Sequence, residues 1–318
     1  MDLELSEDEA ALQEGLRSFL DGRFAMAAVR AQAIGLDRGR WSELAETGVF
    51  GLRLAEADGG VGLGMTEAVL AFEELGRSLV PGPVLATHLA AGLVDGAADG
   101  STVVGLVERP ANVLLIEHFE ALDVLLAIDD DGIWSVAPGD LAPEPVIRPL
   151  DLLTPLHRVA ELPQGDQLAG PEVVARWRQE GAVLTAAALL GMAAKTTELA
   201  VAYAGQREQF GKPIGSFQAV KHLCADMLTR SELARGVVYA AGVTLDGRGV
   251  DDPARMVAAA KLTAGDAAKS HGKSCIQVHG GMGFTAEVDA HLYLKRAIVL
   301  DTWFGSVDDH SEAVALTL

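Results

Sequence analysis

Apolar residues recur at three- and four-residue spacing over most of this chain, and gather into short runs over one stretch in its middle. The helical period first appears after Ser6, where Ser6 and Glu9 form a capping-box pattern and predict a helix reaching Phe19. Trp41, Leu44 and Ala45 fall on one face of a short helix. Residues 50–54 read as extended. A glycine-rich turn follows, then a helix over 66–79 that stops ahead of Pro81, and another over 84–93. Between 101 and 165 the period changes. Runs at 103–107, 113–116, 124–128 and 133–136 predict strands, with Asp129-Asp130-Asp131-Gly132 as a hairpin turn. From Pro171 onward helical spacing returns over 183–205, 216–246 and 253–278, and a last helix begins near Glu287 and passes Leu300. Four long helices on short connections predict an antiparallel bundle. The expected fold is mainly α with a small β segment: an N-terminal helical domain (1–100), a reduced middle β domain (101–168) and a C-terminal four-helix bundle (169–318).

Composition narrows the function classes. With 49% apolar residues in 318, the chain can bury a large core, and its scarcity of aromatics (5%) suits helices better than an all-β fold. A net charge of -20 argues against nucleic acid as a partner, which needs a basic face, and against an anionic membrane surface. No continuous apolar run reaches the roughly 18 residues of a membrane span, and the N-terminus lacks the basic and apolar regions of a signal peptide, so a cytoplasmic protein is expected. Cys224 and Cys275 both lie in helical patterns and read as reduced, buried thiols. The histidines of the helical half show no metal-ligand spacing.

Two segments carry chemistry. The first, Arg207 to Gln218, sets an arginine, a glycine turn and Phe217-Gln218 between two helical patterns. The second, Gln277 to Phe284, sets Gln, His and three glycines at the end of a third helix. A guanidinium makes forked hydrogen bonds to phosphate oxygens, and glycines let a ligand approach backbone N–H donors. Taken singly, Arg207 reads equally as a helix C-terminal cation and the glycines as a connection. A third run, Gly59-Gly60-Val61-Gly62-Leu63-Gly64, mimics a dinucleotide loop, but its register places Glu67 where a third glycine belongs, so a structural turn is expected.

Together the first two segments, with Glu73-Glu74-Leu75-Gly76-Arg77 and Pro81-Gly82-Pro83, resemble the acyl-CoA dehydrogenases, flavoenzymes that desaturate acyl-CoA thioesters. The helix–β–helix order is that family's order. The resemblance implies that Arg207 reaches the FAD pyrophosphate of a neighbouring subunit, that Phe210 lies beside the same cofactor, and that Gln277, Gly280 and Gly281 contact its pyrophosphate and ribose. His279 borders this loop and is read as structural or as touching the cofactor.

The resemblance also exposes what is missing. The reaction needs a carboxylate at the α-carbon of the thioester. Phe304 sits where most of the family carries that glutamate, and a phenyl ring takes no proton. Some members carry it instead at the start of the first C-terminal helix. The matching residue is Gly181, with Glu180 one residue and about 100° of helix away. Glu180 is therefore a weak candidate base, or a solvated carboxylate at a helix start. Ala182 stands at a substrate-binding arginine's position, Ser306 at a threonine's, and no Thr-Glu-Pro-x-x-Gly-Ser-type segment occurs in 101–165.

This pattern resembles the short non-catalytic subunit of actinobacterial heterotetrameric, steroid-type acyl-CoA dehydrogenases. It implies an α2β2 assembly with a full-length acyl-CoA dehydrogenase-like subunit, FAD shared at mixed interfaces, an acyl-CoA or steroid side-chain CoA substrate, and an electron-transfer flavoprotein as electron acceptor. Two other readings stand beside it: a self-sufficient acyl-CoA dehydrogenase with Glu180 or Asp308 as base, and a flavin-free structural or regulatory helical subunit.

Overall fold

The computed structural model describes residues 4–31, 35–109, 113–249 and 251–316. Helices α1 (Glu7–Arg23), α2 (Met26–Ala31), α3 (Arg38–Glu46), α4 (Met65–Arg77) and α5 (Val84–Ala90) come first. Strands β1 (Val104–Glu108), β2 (Leu114–Glu117), β3 (Val124–Ile128), β4 (Ile133–Val136), β5 (Glu144–Pro145), β6 (Leu156–Val159) and β7 (Asp166–Ala169) follow. The last part holds α6 (Pro171–Gln206), the two-residue strands β8 (Glu208–Gln209) and β9 (Lys212–Pro213), α7 (Gln218–Leu245), α8 (Pro253–His279), α9 (Ala290–Leu300) and α10 (Val307–Leu316). The helix–β–helix order is the one expected. These elements are shared between two compact units: Met1–Leu20, Val69–Leu79 and Ala182–Leu318 form one, Asp21–Ala68 and Val80–Gly181 the other.

The first unit is a helical bundle. The end of α4 crosses α6 at backbone distance: a Cβ on Gly76 would lie 2.0 Å from the Ala188 carbonyl oxygen, and one on Gly191 1.9 Å from that of Glu73. Two fully buried acids on α4 are neutralised where they lie. Glu74 takes a forked pair of hydrogen bonds from Arg17 (2.6 and 2.9 Å). Glu73 accepts from Tyr239 Oη (2.7 Å) and from Arg235 (3.1 Å). Buried carboxylates tolerate removal from water only with such partners. The Glu73-Glu74-Leu75-Gly76-Arg77 motif thus serves the packing of this unit.

The second unit carries the sheets. One has the order β1-β3-β4-β7, with β1 parallel to β3 and the other pairs antiparallel; the second, β2-β6-β5, is antiparallel. The β3–β4 hairpin uses the predicted Asp129–Gly132 turn: Asp129 Oδ1 accepts from the N–H of Asp131 and Gly132, and from Trp134 Nε1, all at 3.0 Å.

Several expectations need correction. Residues 50–54 form a turn, not a strand, with Leu54 N–H donating to Gly51 C=O at 3.1 Å. The glycine run folds back onto it: Val61 N–H donates to Gly51 C=O (3.1 Å), Leu63 to Leu52 (3.0 Å) and Gly62 to Leu54 (2.8 Å). A Cβ on Gly60 would lie 2.1 Å from the Leu54 carbonyl oxygen, so the run is a packed structural turn, and Glu67 caps Gly64 N–H at 2.8 Å. α6 starts at Pro171, twelve residues before the expected 183. It is long and apolar enough to cross a membrane, contrary to the sequence expectation, but 72% of that window is buried in the fold. The fourth bundle helix is short and splits into α9 and α10 around the 301–306 loop. Cys224 is half-buried rather than buried; Cys275 is buried, and both are free.

Candidate functional site

The two motifs meet at one end of the bundle. α6 closes with Arg207 N–H donating to Tyr203 C=O at 2.9 Å, and Arg207 C=O accepts from Ile214 at 2.8 Å. Between them β8 and β9 pair as a miniature hairpin (Glu208 with Pro213, Gln209 with Lys212). Its two turn residues, Phe210 and Gly211, have φ of 55° and 77°. A two-residue hairpin of this hand needs positive φ at both positions. Phe210 is a poor residue for that conformation, yet its ring is 92% exposed, edge-on to Phe217 at 6.1 Å. A strained, solvent-facing aromatic is the kind of feature that gathers at binding sites.

α8 reaches the same end. Asp252 caps its start by accepting from Arg255 N–H at 2.9 Å, with Pro253 at the first helical position. It ends at Gly280, whose φ of 60° and ψ of -138° suit glycine. The ring of His279 stacks on Tyr203 at 4.1 Å and 26°, and His279 Nδ1 lies 2.8 Å from Cys275 C=O. Below them Ala200, Ala204, Met227, Cys275 and Ile276 form a buried cluster. The Tyr203–His279 stack brings the ends of α6 and α8 together; Arg207 lies one turn beyond Tyr203, and the glycine turn follows His279.

The glycines of that turn differ in their reasons. A Cβ on Gly283 would meet the Ile276 carbonyl oxygen at 2.4 Å, so packing requires glycine there. Nothing lies within 4 Å of a Cβ on Gly280 or Gly281. Gln277, Gly280, Gly281, Arg207 and Phe210 are all exposed, and neither the Arg207 guanidinium nor the Gln277 amide has a hydrogen-bonding partner among the described residues.

The 301–306 loop is the opposite case. Phe304 is buried with φ of 55°, against Trp303 at 5.8 Å. Its C=O lies 3.0 Å from His310 Nε2. Lys261, buried beneath the loop, donates to Asp301 C=O at 2.7 Å, and Lys269 pairs with the Asp301 carboxylate. Burial pulls the Lys261 ammonium down to about 8 from its ordinary 10.5, the Asp301 carboxylate opposing this in part. His310 is likewise held below its usual range, mainly by burial. Ser306 caps α10, its hydroxyl donating to Asp309 Oδ2 at 2.7 Å. Sequence reasoning missed this clasp, because a lone lysine on α8 carries no spacing signal.

Glu180 is not a solvated carboxylate at a helix start. It lies three turns into α6, is buried, and accepts from Arg53 Nη2 at 2.6 Å with Arg176 Nε at 3.8 Å. Asp308 is exposed in the first turn of α10, and Ala182 is buried. The described residues include no cluster of three or more metal-ligating side chains.

Family models match over most of the chain: "Acyl-CoA dehydrogenase, C-terminal domain" over residues 170–317 and "Acyl-CoA dehydrogenase, N-terminal domain" over 6–98. Acyl-CoA dehydrogenase IpdE2 of Mycobacterium tuberculosis is 33% identical, covering 92% of this chain and 91% of that protein. The chain belongs to the acyl-CoA dehydrogenase family. FadE34, another acyl-CoA dehydrogenase of that organism, is 35% identical over 92% of this chain, which spans only 45% of FadE34. Among solved structures, the fold matches the ChsE4-ChsE5 complex of Mycobacterium tuberculosis (TM-score 0.84, 21% identity, covering 99% of this chain and 98% of that one). It also matches a steroid ACAD, Tcur3481-Tcur3483 (TM-score 0.83, 22% identity, covering 98% and 97%).

For an acyl-CoA dehydrogenase chain, the open end of the bundle fits one part of FAD. An exposed guanidinium, an exposed amide and a turn whose backbone N–H groups no side chain shields suit a pyrophosphate. In the 301–306 loop Phe304 is buried and the one carboxylate, Asp301, is bound to two lysines.

Proposed function

We propose that this acyl-CoA dehydrogenase chain is the non-catalytic subunit of a hetero-oligomer. Arg207, Gln277 and the Gly280–Gly281 backbone hold the pyrophosphate and ribose of FAD, and Phe210 packs beside the cofactor. A full-length acyl-CoA dehydrogenase-like partner supplies the flavin-ring pocket and the catalytic glutamate. When bound, FAD accepts the hydride that leaves the thioester β-carbon. This chain's residues bind and orient the phosphate end, and none of them takes the α-proton. The observation that supports the reading is the contrast within the bundle: the Arg207 and Gln277 side chains are exposed with no hydrogen-bonding partner among the described residues, whereas Phe304 is buried.

Support for a partner comes from two fold neighbours whose names join two polypeptides, ChsE4-ChsE5 and the steroid ACAD Tcur3481-Tcur3483. The second also supports a steroid side-chain CoA as substrate, with an α2β2 assembly, an electron-transfer flavoprotein as acceptor and a cytoplasmic setting completing the proposal. Glu180 is a poor candidate base, because its buried carboxylate is already engaged by Arg53 and faces Arg176.

Co-expression with a full-length homologue is the test. Yellow colour and thioester desaturation should require both chains. Desaturation by this chain alone would overturn the proposal, and a colourless but intact complex would favour the flavin-free structural subunit.

A further inference from the structure

The hairpin that carries Phe210 has little of its own to hold it. Residues 207–213 are all exposed, so the β8–β9 pair buries no apolar face, and so short a two-stranded pair is marginal in water. The chain that follows the hairpin is fixed. A Cβ on Gly215 would lie 2.9 Å from the Ala204 carbonyl oxygen, so the returning backbone runs tight against α6. Ile214 and Val220 pack on the buried cluster that includes Ala204. Phe217 lies between them in the chain with its backbone engaged: its N–H donates to Ile214 C=O, and its C=O accepts from Val220 and Lys221 N–H, each at 3.1 Å. The half-buried Phe217 ring thus stands on an anchored backbone, and the hairpin leans on it from two places. Lys212 of β9 sets its ammonium 4.5 Å from the ring centroid, within cation–π range. Phe210 of the turn lies edge-on to the same ring, with 6.1 Å between centroids and 86° between planes.

We propose that Lys212 and Phe217 are positioning residues for the cofactor: Phe217, with the Lys212 ammonium over its ring, holds the hairpin in an orientation that presents Phe210 and Arg207 together. The inference rests on the flavin reading given above and adds what tunes that site. Neither residue needs to touch FAD. A ring 92% exposed contributes affinity only when its direction is fixed before binding, because every side chain ordered on binding costs entropy. Lysine suits the exposed strand position, since its stem and ammonium lie over the aromatic face while the charge stays in contact with water. Arg207 shares the same frame, because its C=O accepts from Ile214 N–H at 2.8 Å where the hairpin closes.

Titration of FAD into the flavin-depleted complex of this chain with its full-length partner tests it, with urea unfolding of each variant alongside. Lys212→Met keeps an unbranched stem and removes the charge. It should weaken FAD binding about threefold with the unfolding midpoint unchanged, and Lys212→Arg should retain the original affinity. Phe217→Leu should weaken FAD binding about tenfold. In the Phe217→Leu background Lys212→Met should have no further effect, because the ammonium acts through the ring; a lysine that met the phosphates directly would add its loss in both backgrounds. Arg207→Ala separates this inference from the flavin reading beneath it. Weakened FAD binding in Arg207→Ala with full affinity in Lys212→Met overturns the positioning role alone. Binding indifferent to Arg207→Ala, Lys212→Met and Phe217→Leu alike overturns both, and additive losses from the last two overturn the positioning role in favour of direct contact.

Discussion

Two regions at helix ends of the bundle have opposite characters. At the 207–217 hairpin and the 280–284 turn, the Arg207 and Gln277 side chains are exposed with no hydrogen-bonding partner among the described residues, and an aromatic is held at positive φ with its ring in solvent. At 301–306 another phenylalanine takes nearly the same φ, yet it is buried, and Lys261, Lys269 and His310 fasten the surrounding backbone and carboxylate. The same backbone device, a non-glycine residue in the left-handed region, thus presents a side chain in one place and plugs a space in the other. An exposed loop can leave its polar groups to solvent or a ligand, whereas a loop that closes on itself satisfies them internally, since buried polar atoms without partners are costly.

The largest way to break this contrast is within the glycine turn. Gly283→Ala drives a Cβ against the Ile276 carbonyl and should destabilise the chain by about 1–3 kcal/mol or more, whereas Gly281→Ala should leave stability unchanged and weaken only FAD binding in the complex. Urea denaturation and flavin titration separate the two. Lys261 should show next. Its folded value of about 8 lies below its ordinary 10.5, so between those values the unfolded chain binds more protons and stability rises with pH. Lys261→Met should abolish a rise of up to about 3 kcal/mol between pH 8 and 10, measured as the difference between wild-type and variant unfolding curves. Arg207→Ala should weaken FAD binding in the complex by about 1.5–3 kcal/mol, with an unfolding midpoint unchanged because the side chain is exposed. The smallest effect belongs to Phe210→Gly. It should relieve about 1 kcal/mol of backbone strain and stabilise the free chain, while loosening the flavin.

The open loops were legible in the sequence and the closed one was not. Arg207, Phe210, Gln277 and the glycines form contiguous patterns that the sequence displays without any tertiary contact. Nothing in the sequence announces Lys261 under the loop or the Tyr203–His279 stack that brings α6 and α8 together, because both are contacts between residues far apart in the chain. Glu180 was misread for a related reason. With α6 expected to begin at 183, the residue fell at a helix start, but Pro171 and Glu172 begin the helix earlier and carry Glu180 into the interior beside Arg53. The β segment was legible only where strands are apolar. β5, β6 and β7 are short or polar, and their pairing partners, not their composition, make them strands.

The most direct test of the central claim is the flavin content of the purified complex of this chain with its full-length partner. One FAD for each mixed pair of chains, falling away when Arg207→Ala is introduced in this chain alone, is the predicted result. One FAD for every chain, or a flavin content untouched by Arg207→Ala, would contradict it.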